Sequence, residues 1–221
     1  QIMNKTAMIT TVLLVLALVI PGMMKAEDLK FPRASQGAEV SQMVGLSKVT
    51  ISYHRPGVKE REIWGKLVPW DKVWRLGANE ATTIEFSNDV KVEGQELKAG
   101  KYGLFAIPGQ SEWTFIFSKQ TKIWGTYAYK DGEDVLRVKV KPMKAPHGEW
   151  MALGFGKLTE DSALVYMHWE KVMVGFTIKF DTGALIKKGT EKVMKSAYRD
   201  SYYAADNAFK KEKYKEAKHF I

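Results

Sequence analysis

An all-β fold, an antiparallel β-sandwich of jelly-roll-like character with a short C-terminal α-helical appendage, is what the sequence predicts. Three observations carry this. Apolar residues alternate with period two through most of the chain from Val49 onward. Turn-forming pairs separate the alternating runs. Past Asp181-Thr182-Gly183 the spacing of apolar residues changes to that of a helix.

Taken in order, the chain opens on an address. Lys5 is followed by an apolar run from Ala7 to Ile20, then by Pro21-Gly22 and the small residue Ala26. A basic flank, a short apolar stretch and a helix breaker before a small residue describe a secretory signal peptide over residues 1–26. A transmembrane anchor normally needs ~20 apolar residues, a length the stretch approaches only when counted through Met24. The expectation is therefore an exported chain, periplasmic or extracellular, with no membrane span once the signal is cleaved.

The body, residues 27–184, is expected to be one sandwich domain. Val49, Ile51 and Tyr53 share a strand face, as do Ile84 and Phe86, then Trp113, Phe115 and Phe117, then Leu136, Val138 and Val140. The longest alternation is Val172, Val174, Phe176, Ile178 and Phe180, which predicts an inward face opposite Lys171, Thr177 and Lys179. Ser87-Asn88-Asp89, Glu93-Gly94, Ala99-Gly100, Pro108-Gly109, Asp131-Gly132 and His147-Gly148 supply the turns. Short strands at this spacing, without helical patterns between them, favour a sandwich or barrel. No repeat with a period of about 20–50 residues runs through the body, which argues against a propeller.

Residues 185–221 form a lysine-rich segment expected to be helical. Ala197, Ala204, Ala205, Ala208, Phe209, Tyr214, Ala217 and Phe220 have helical spacing, and part of the pattern resembles a tetratricopeptide repeat cut off at the chain end. One such repeat cannot bury its own apolar face, so this segment is the candidate for docking a protein partner.

Composition narrows the function classes. The net charge is +9, from 34 basic and 25 acidic residues, but the termini carry most of it. Residues 1–26 contribute +2 and residues 185–221 contribute +5, leaving 22 basic and 20 acidic residues between them. A nucleic-acid-binding domain usually has a basic stripe through its body, so no nucleic-acid partner is expected. The absence of cysteine removes disulfide scaffolds, thiol nucleophiles and thiolate metal sites.

The sequence around Lys72-Val73-Trp74-Arg75-Leu76-Gly77-Ala78-Asn79-Glu80-Ala81-Thr82 is distinctive. With it go Leu97-Lys98-Ala99-Gly100-Lys101-Tyr102-Gly103-Leu104-Phe105, Glu112-Trp113-Thr114-Phe115, Ser41-Gln42-Met43-Val44-Gly45 and Tyr53-His54-Arg55-Pro56-Gly57. Together these resemble the "domain of unknown function 2911" family of exported bacterial proteins, of the type common in Bacteroidetes, over roughly residues 31–181. His54 departs from the pattern, standing where a small polar residue is expected. The resemblance implies export and, in some members, repeat-like helices after the domain. It implies no activity.

Chemistry therefore has to be sought in the residues. Arg55, Arg75, Asn79 and Glu80 are the candidate ligand-binding residues, within a polar cluster that also holds His54, Lys59 and Arg61. If the strand at Ile84 starts early, Glu80 has inward parity and an Arg75–Glu80 pair would be buried, pinning a long loop; the same group could instead line a pocket. Arg61, in Lys59-Glu60-Arg61-Glu62, reads as solvated, and Arg75 as the more embedded cation. Glu80 and Glu149 are the carboxylates that a glycan or cell-envelope hydrolase would use as a pair. No Gly-x-Ser-x-Gly elbow or His-Glu-x-x-His motif occurs, and His54, His147 and His168 lack ligand-like spacing. Neither a catalytic residue, a metal site nor a cofactor is assigned. Of seven tryptophans, Trp113 and Trp169 belong to strands, whereas Trp64, Trp70 and Trp124 neighbour Gly or Pro; packing under the long loop is their favoured role, and lining a groove the alternative. The function these features favour is a non-catalytic module binding a small polar molecule or glycan. The alternatives are the hydrolase and an interaction domain docking through its helical tail.

Overall fold

A computed structural model of the protein describes residues 31–210. The expected signal segment, residues 1–26, lies outside the described residues, as do Tyr214, Ala217 and Phe220 of the tail.

Among the described residues, ten strands build two antiparallel sheets. They are β1 (Gln36–Val44), β2 (Ser47–Arg55), β3 (Thr83–Phe86), β4 (Val90–Val92), β5 (Gln95–Leu97), β6 (Gly100–Ile107), β7 (Trp113–Ser118), β8 (Asp134–Val140), β9 (Met143–Gly156) and β10 (Ser162–Lys179). The larger sheet has the order β1-β2-β3-β6-β7-β8, and the smaller β5-β4-β10-β9. An α-helix, α1, runs unbroken from Thr182 to Lys210. It starts where Asp181 accepts a hydrogen bond from the Ala184 amide at 2.9 Å, a side-chain cap that satisfies one of the free amides of the first turn.

The alternation read from sequence becomes the inner faces of the two sheets. Val174, Phe176, Ile178 and Phe180 are buried while Lys171, Thr177 and Lys179 are exposed, so the parity of β10 is as expected. Phe176 meets Phe115 and Phe117 edge-on at centroid separations of 4.9 and 5.3 Å, and Phe180 reaches Phe86 at 6.5 Å. These contacts bridge the sheets, and edge-to-face aromatic packing adds to area burial.

His147-Gly148 is not a turn, contrary to expectation. Both residues lie inside β9, an edge strand, where the ladder to β10 shifts register on either side of Glu170. Glycine is needed because the His168 ring lies against the backbone: a Cβ at Gly148 would stand 2.9 Å from it. His168 Nε2 also bonds the Pro146 carbonyl at 2.8 Å, so this histidine is structural.

Trp64 and Trp70 do not line an open groove. Trp64 packs within 5.1–6.4 Å of Trp70, Trp74, Trp113 and Trp169, joining five indoles from the long β2–β3 loop and both sheets. The loop can enter the core because its backbone is paired there. Trp74 exchanges two hydrogen bonds with Ala106, at 2.7 and 2.9 Å, and Asp71 donates to the Pro108 carbonyl. A second, smaller core lies across the larger sheet, where Phe105 and Ile116 are fully buried with Ala81, against Ile123 and Tyr129. It is roofed by the β7–β8 loop.

Candidate functional site

The segment Trp74–Thr82 determines where Arg75 stands. Trp74 and Leu76 are both buried, and Trp74 Nε1 donates to the Gly77 carbonyl at 3.1 Å. Thr82 Oγ1 donates to the Leu76 carbonyl at 2.7 Å. These bonds hold Leu76 and Asn79 in the left-handed region, with φ of 50° and 58°. Asparagine tolerates that conformation, but for leucine it is an outlier that only surrounding structure sustains. With its neighbours turned into the core, Arg75 is left half-buried at the surface.

The β7–β8 loop meets this segment backbone to backbone. Ala81 donates to the Ile123 carbonyl at 3.0 Å, and Gly125 to the Asn79 carbonyl at 3.2 Å, while Glu80 and Trp124 form a single bridge. The pairing brings the Trp124 ring to 5.9 Å from the Arg75 guanidinium carbon. Trp124 in turn stacks on Tyr127, with centroids 6.0 Å apart and planes inclined by 11°. Both rings face solvent, at 58% and 88% exposure.

Arg75 Nε is buried and has no hydrogen-bond partner. Among the described residues no carboxylate forms an ion pair with its guanidinium. Burial therefore pulls its pKa below the usual arginine range, opposed only by the Tyr127 hydroxyl. The other arginines of the sandwich are satisfied. Arg55 Nε donates to the Met151 carbonyl at 2.8 Å. Arg61 donates to the carbonyls of Val58 and Gly57, at 3.1 and 2.6 Å. Arg137 holds Asp134 at 2.7 Å.

Several sequence readings change here. Glu80 is exposed rather than inward, because β3 begins only at Thr83. It makes no pair with Arg75; its carboxylate lies 3.4 Å from His54 Nε2. Asn79 does bond backbone, donating to the Ser35 carbonyl at 2.9 Å. Arg61 is exposed, as expected, and also anchors its turn through the Gly57 and Val58 carbonyls. Glu149 lies 3.6 Å from His147 and accepts the Lys59 amide at 2.9 Å, so Glu80 and Glu149 are each engaged with a different histidine. Of the four candidate ligand residues, the structure gathers Arg75, Asn79 and Glu80 at the junction with Trp124, and directs Arg55 into the β2–β9 contact. Sequence reasoning missed Tyr127. Its only signal was proximity to Trp124-Gly125, and a stacked pair three residues apart needs the turn at Gly125, whose φ is 66°.

Elsewhere, a cavity of about 1310 Å³ lies beside the start of α1, lined by Lys91, Lys98, Asp161, Lys179, Asp181 and Thr182 among others. Two ion pairs lie along it, Lys98–Asp89 at 2.8 Å and Lys179–Asp161 at 3.2 Å. Among the described residues no group of three histidine or acidic side chains could hold a metal ion, and no helix is long and apolar enough to cross a membrane. On α1, Ile186, Val193, Met194, Tyr198 and Tyr202 are all exposed.

The family model described as "Protein of unknown function (DUF2911)" matches residues 35–178, well over half the chain and nearly the whole two-sheet body. No curated protein and no solved structure matches it.

Proposed function

From the premise that the chain belongs to the DUF2911 family of proteins of unknown function, we propose that it is a non-catalytic module binding a small polar ligand or glycan at Arg75, Trp124 and Tyr127. The observation that carries this reading is a half-buried guanidinium without an acidic partner, set beside two parallel, solvent-facing aromatic rings. Trp124 and Tyr127 form an exposed, stacked pair, and a sugar ring stacks on such faces through its apolar C–H surface. Asn79 and Glu80 border the site, and Arg55 supports it at a distance through the β2–β9 contact. Left-handed φ values at Leu76 and Asn79 support the same reading, because strain of this kind collects where a binding geometry has to be held.

Thermal-shift measurements on the mature protein against a panel of mono- and oligosaccharides test it. Stabilisation by a sugar in the parent and none in Trp124→Ala is the expected result. Equal shifts in both proteins would remove the site from consideration.

The compartment proposed with this function is periplasmic or extracellular, supported by Lys5, the apolar run to Ile20 and Pro21-Gly22. Intact-mass analysis of protein from its native cell should show loss of residues 1–26. A second reading is favoured by one observation. The exposed apolar side chains of α1 suit docking against a protein partner, which would be seen as loss of a complex when Val193 and Met194 are both changed to Lys.

A further inference from the structure

We infer that the ligand of this site is an acidic sugar of the uronic-acid class, its carboxylate on Arg75 and its ring face on Trp124 and Tyr127. This rests on the binding reading above and adds the charge and the shape of the ligand.

The charge follows from what Arg75 lacks. A desolvated guanidinium is costly unless an anion and hydrogen-bond acceptors compensate it. Arg55 and Arg61 have carbonyls, and Arg137 has Asp134. Arg75 has a buried Nε with no acceptor, and its guanidinium carbon stands 5.9 Å from the centre of the Trp124 ring. The buried Nε is out of a ligand's reach, so an anion from outside meets the two Nη groups, which have no carboxylate among the described residues. The planar five-donor fork fits a carboxylate with two parallel hydrogen bonds. One guanidinium supplies one positive charge, which matches a carboxylate better than a phosphate monoester carrying nearly two negative charges.

The shape follows from the rings. Trp124 and Tyr127 lie within 11° of parallel, and the guanidinium is 5.9 Å from the indole centroid, so platform and charge belong to one surface. A pyranose bearing its carboxylate on the ring presents an apolar face and an anion from one rigid body. A free small anion would use Arg75 and leave both rings unused. A neutral sugar would use the rings and leave the guanidinium unpaired.

The test is isothermal titration of the full mature chain with oligoglucuronate, the matched neutral oligoglucoside and inorganic phosphate. The expected result is binding of the acidic oligomer at least about tenfold tighter than the neutral one. Arg75→Met should equalise the two, and Trp124→Ala should abolish both. Thermal melts of each variant confirm folding, since both side chains are partly exposed. Equal affinity of acidic and neutral oligomers for the parent would overturn the carboxylate assignment and leave the binding module standing. Competition by phosphate as strong as that by oligoglucuronate would overturn the sugar and keep only an anion site. No binding of any sugar would remove the underlying reading itself.

Discussion

The backbone of Gln120 runs so close to Gly103 that a Cβ added at Gly103 would overlap the Gln120 carbonyl oxygen and the Phe105 ring. Gly103 lies in β6, and Gln120 opens the loop that carries Trp124 and Tyr127, so a single missing side chain seats the aromatic platform on the sheet.

Gly103→Ala should therefore destabilise the fold by about 1–3 kcal/mol, the usual range for overpacking, because the atom in the way is backbone and cannot rotate aside. Gly132→Ala, with open space at the same position of its own turn, should stay within about 0.5 kcal/mol of the parent. Urea unfolding compares the two, and equal midpoints would show that the loop is not seated as described.

Arg61 and Arg75 should behave in opposite ways. Arg61→Ala removes hydrogen bonds to the Gly57 and Val58 carbonyls, a loss of about 0.5–1.5 kcal/mol. Arg75→Met removes a desolvated charge that no acid compensates, and should match or exceed the parent in stability. A loss above about 2 kcal/mol in Arg75→Met would reveal a compensating partner. Chemical denaturation at low and high salt decides the matter.

Among the tryptophans, Trp64 should dominate stability and Trp124 should not. Trp64→Ala empties the centre of five packed indoles and should cost about 3–5 kcal/mol, in the range of large aromatic truncations. Trp124 is 58% exposed, so Trp124→Ala should cost under about 1 kcal/mol. Thermal unfolding monitored by far-UV circular dichroism reads both.

An alkaline transition should trace to Tyr129. Burial, together with donation of its hydroxyl to Asp134 at 2.6 Å, pushes its pKa up from 10.0 to about 12. The folded state thus prefers the neutral phenol more strongly than the unfolded chain does. Its contribution is fully present below pH 10 and lost as the pH rises to about 12. Tyr129→Phe should be less stable than the parent at pH 8 and should show a flatter decline over that window. Parallel pH profiles for the two proteins would refute the assignment.

The fold was legible in the sequence to the extent that local pattern controls it. A strand face is set by alternation, so Val174, Phe176, Ile178 and Phe180 pointed inward whatever they met. His147-Gly148 misled because a glycine beside a histidine has the composition of a turn. Its role depends on the His168 ring, twenty residues away on the partner strand. The tryptophan-rich loop was recognisable as a loop with Trp64 and Trp70 packed beneath it, but the backbone pairing with β6 that seats it there has no local signal.

For the site, the sequence by itself determined that Arg75, Asn79 and Glu80 would share one short, glycine-containing segment before a strand. It also determined that the body would lack a basic stripe, a thiol and a recognisable catalytic motif. Tertiary structure alone decided the partners. It placed Glu80 on His54 and Trp124 over Arg75, and left the guanidinium without a carboxylate. Those outcomes depend on where β3 begins and on how the β7–β8 loop pairs with Asn79, Glu80 and Ala81, and a few ångströms separate an ion pair from a guanidinium without one. Distances of that size between segments well separated in the chain are fixed by packing, because side-chain alternation records which face a residue takes and not what lies across from it.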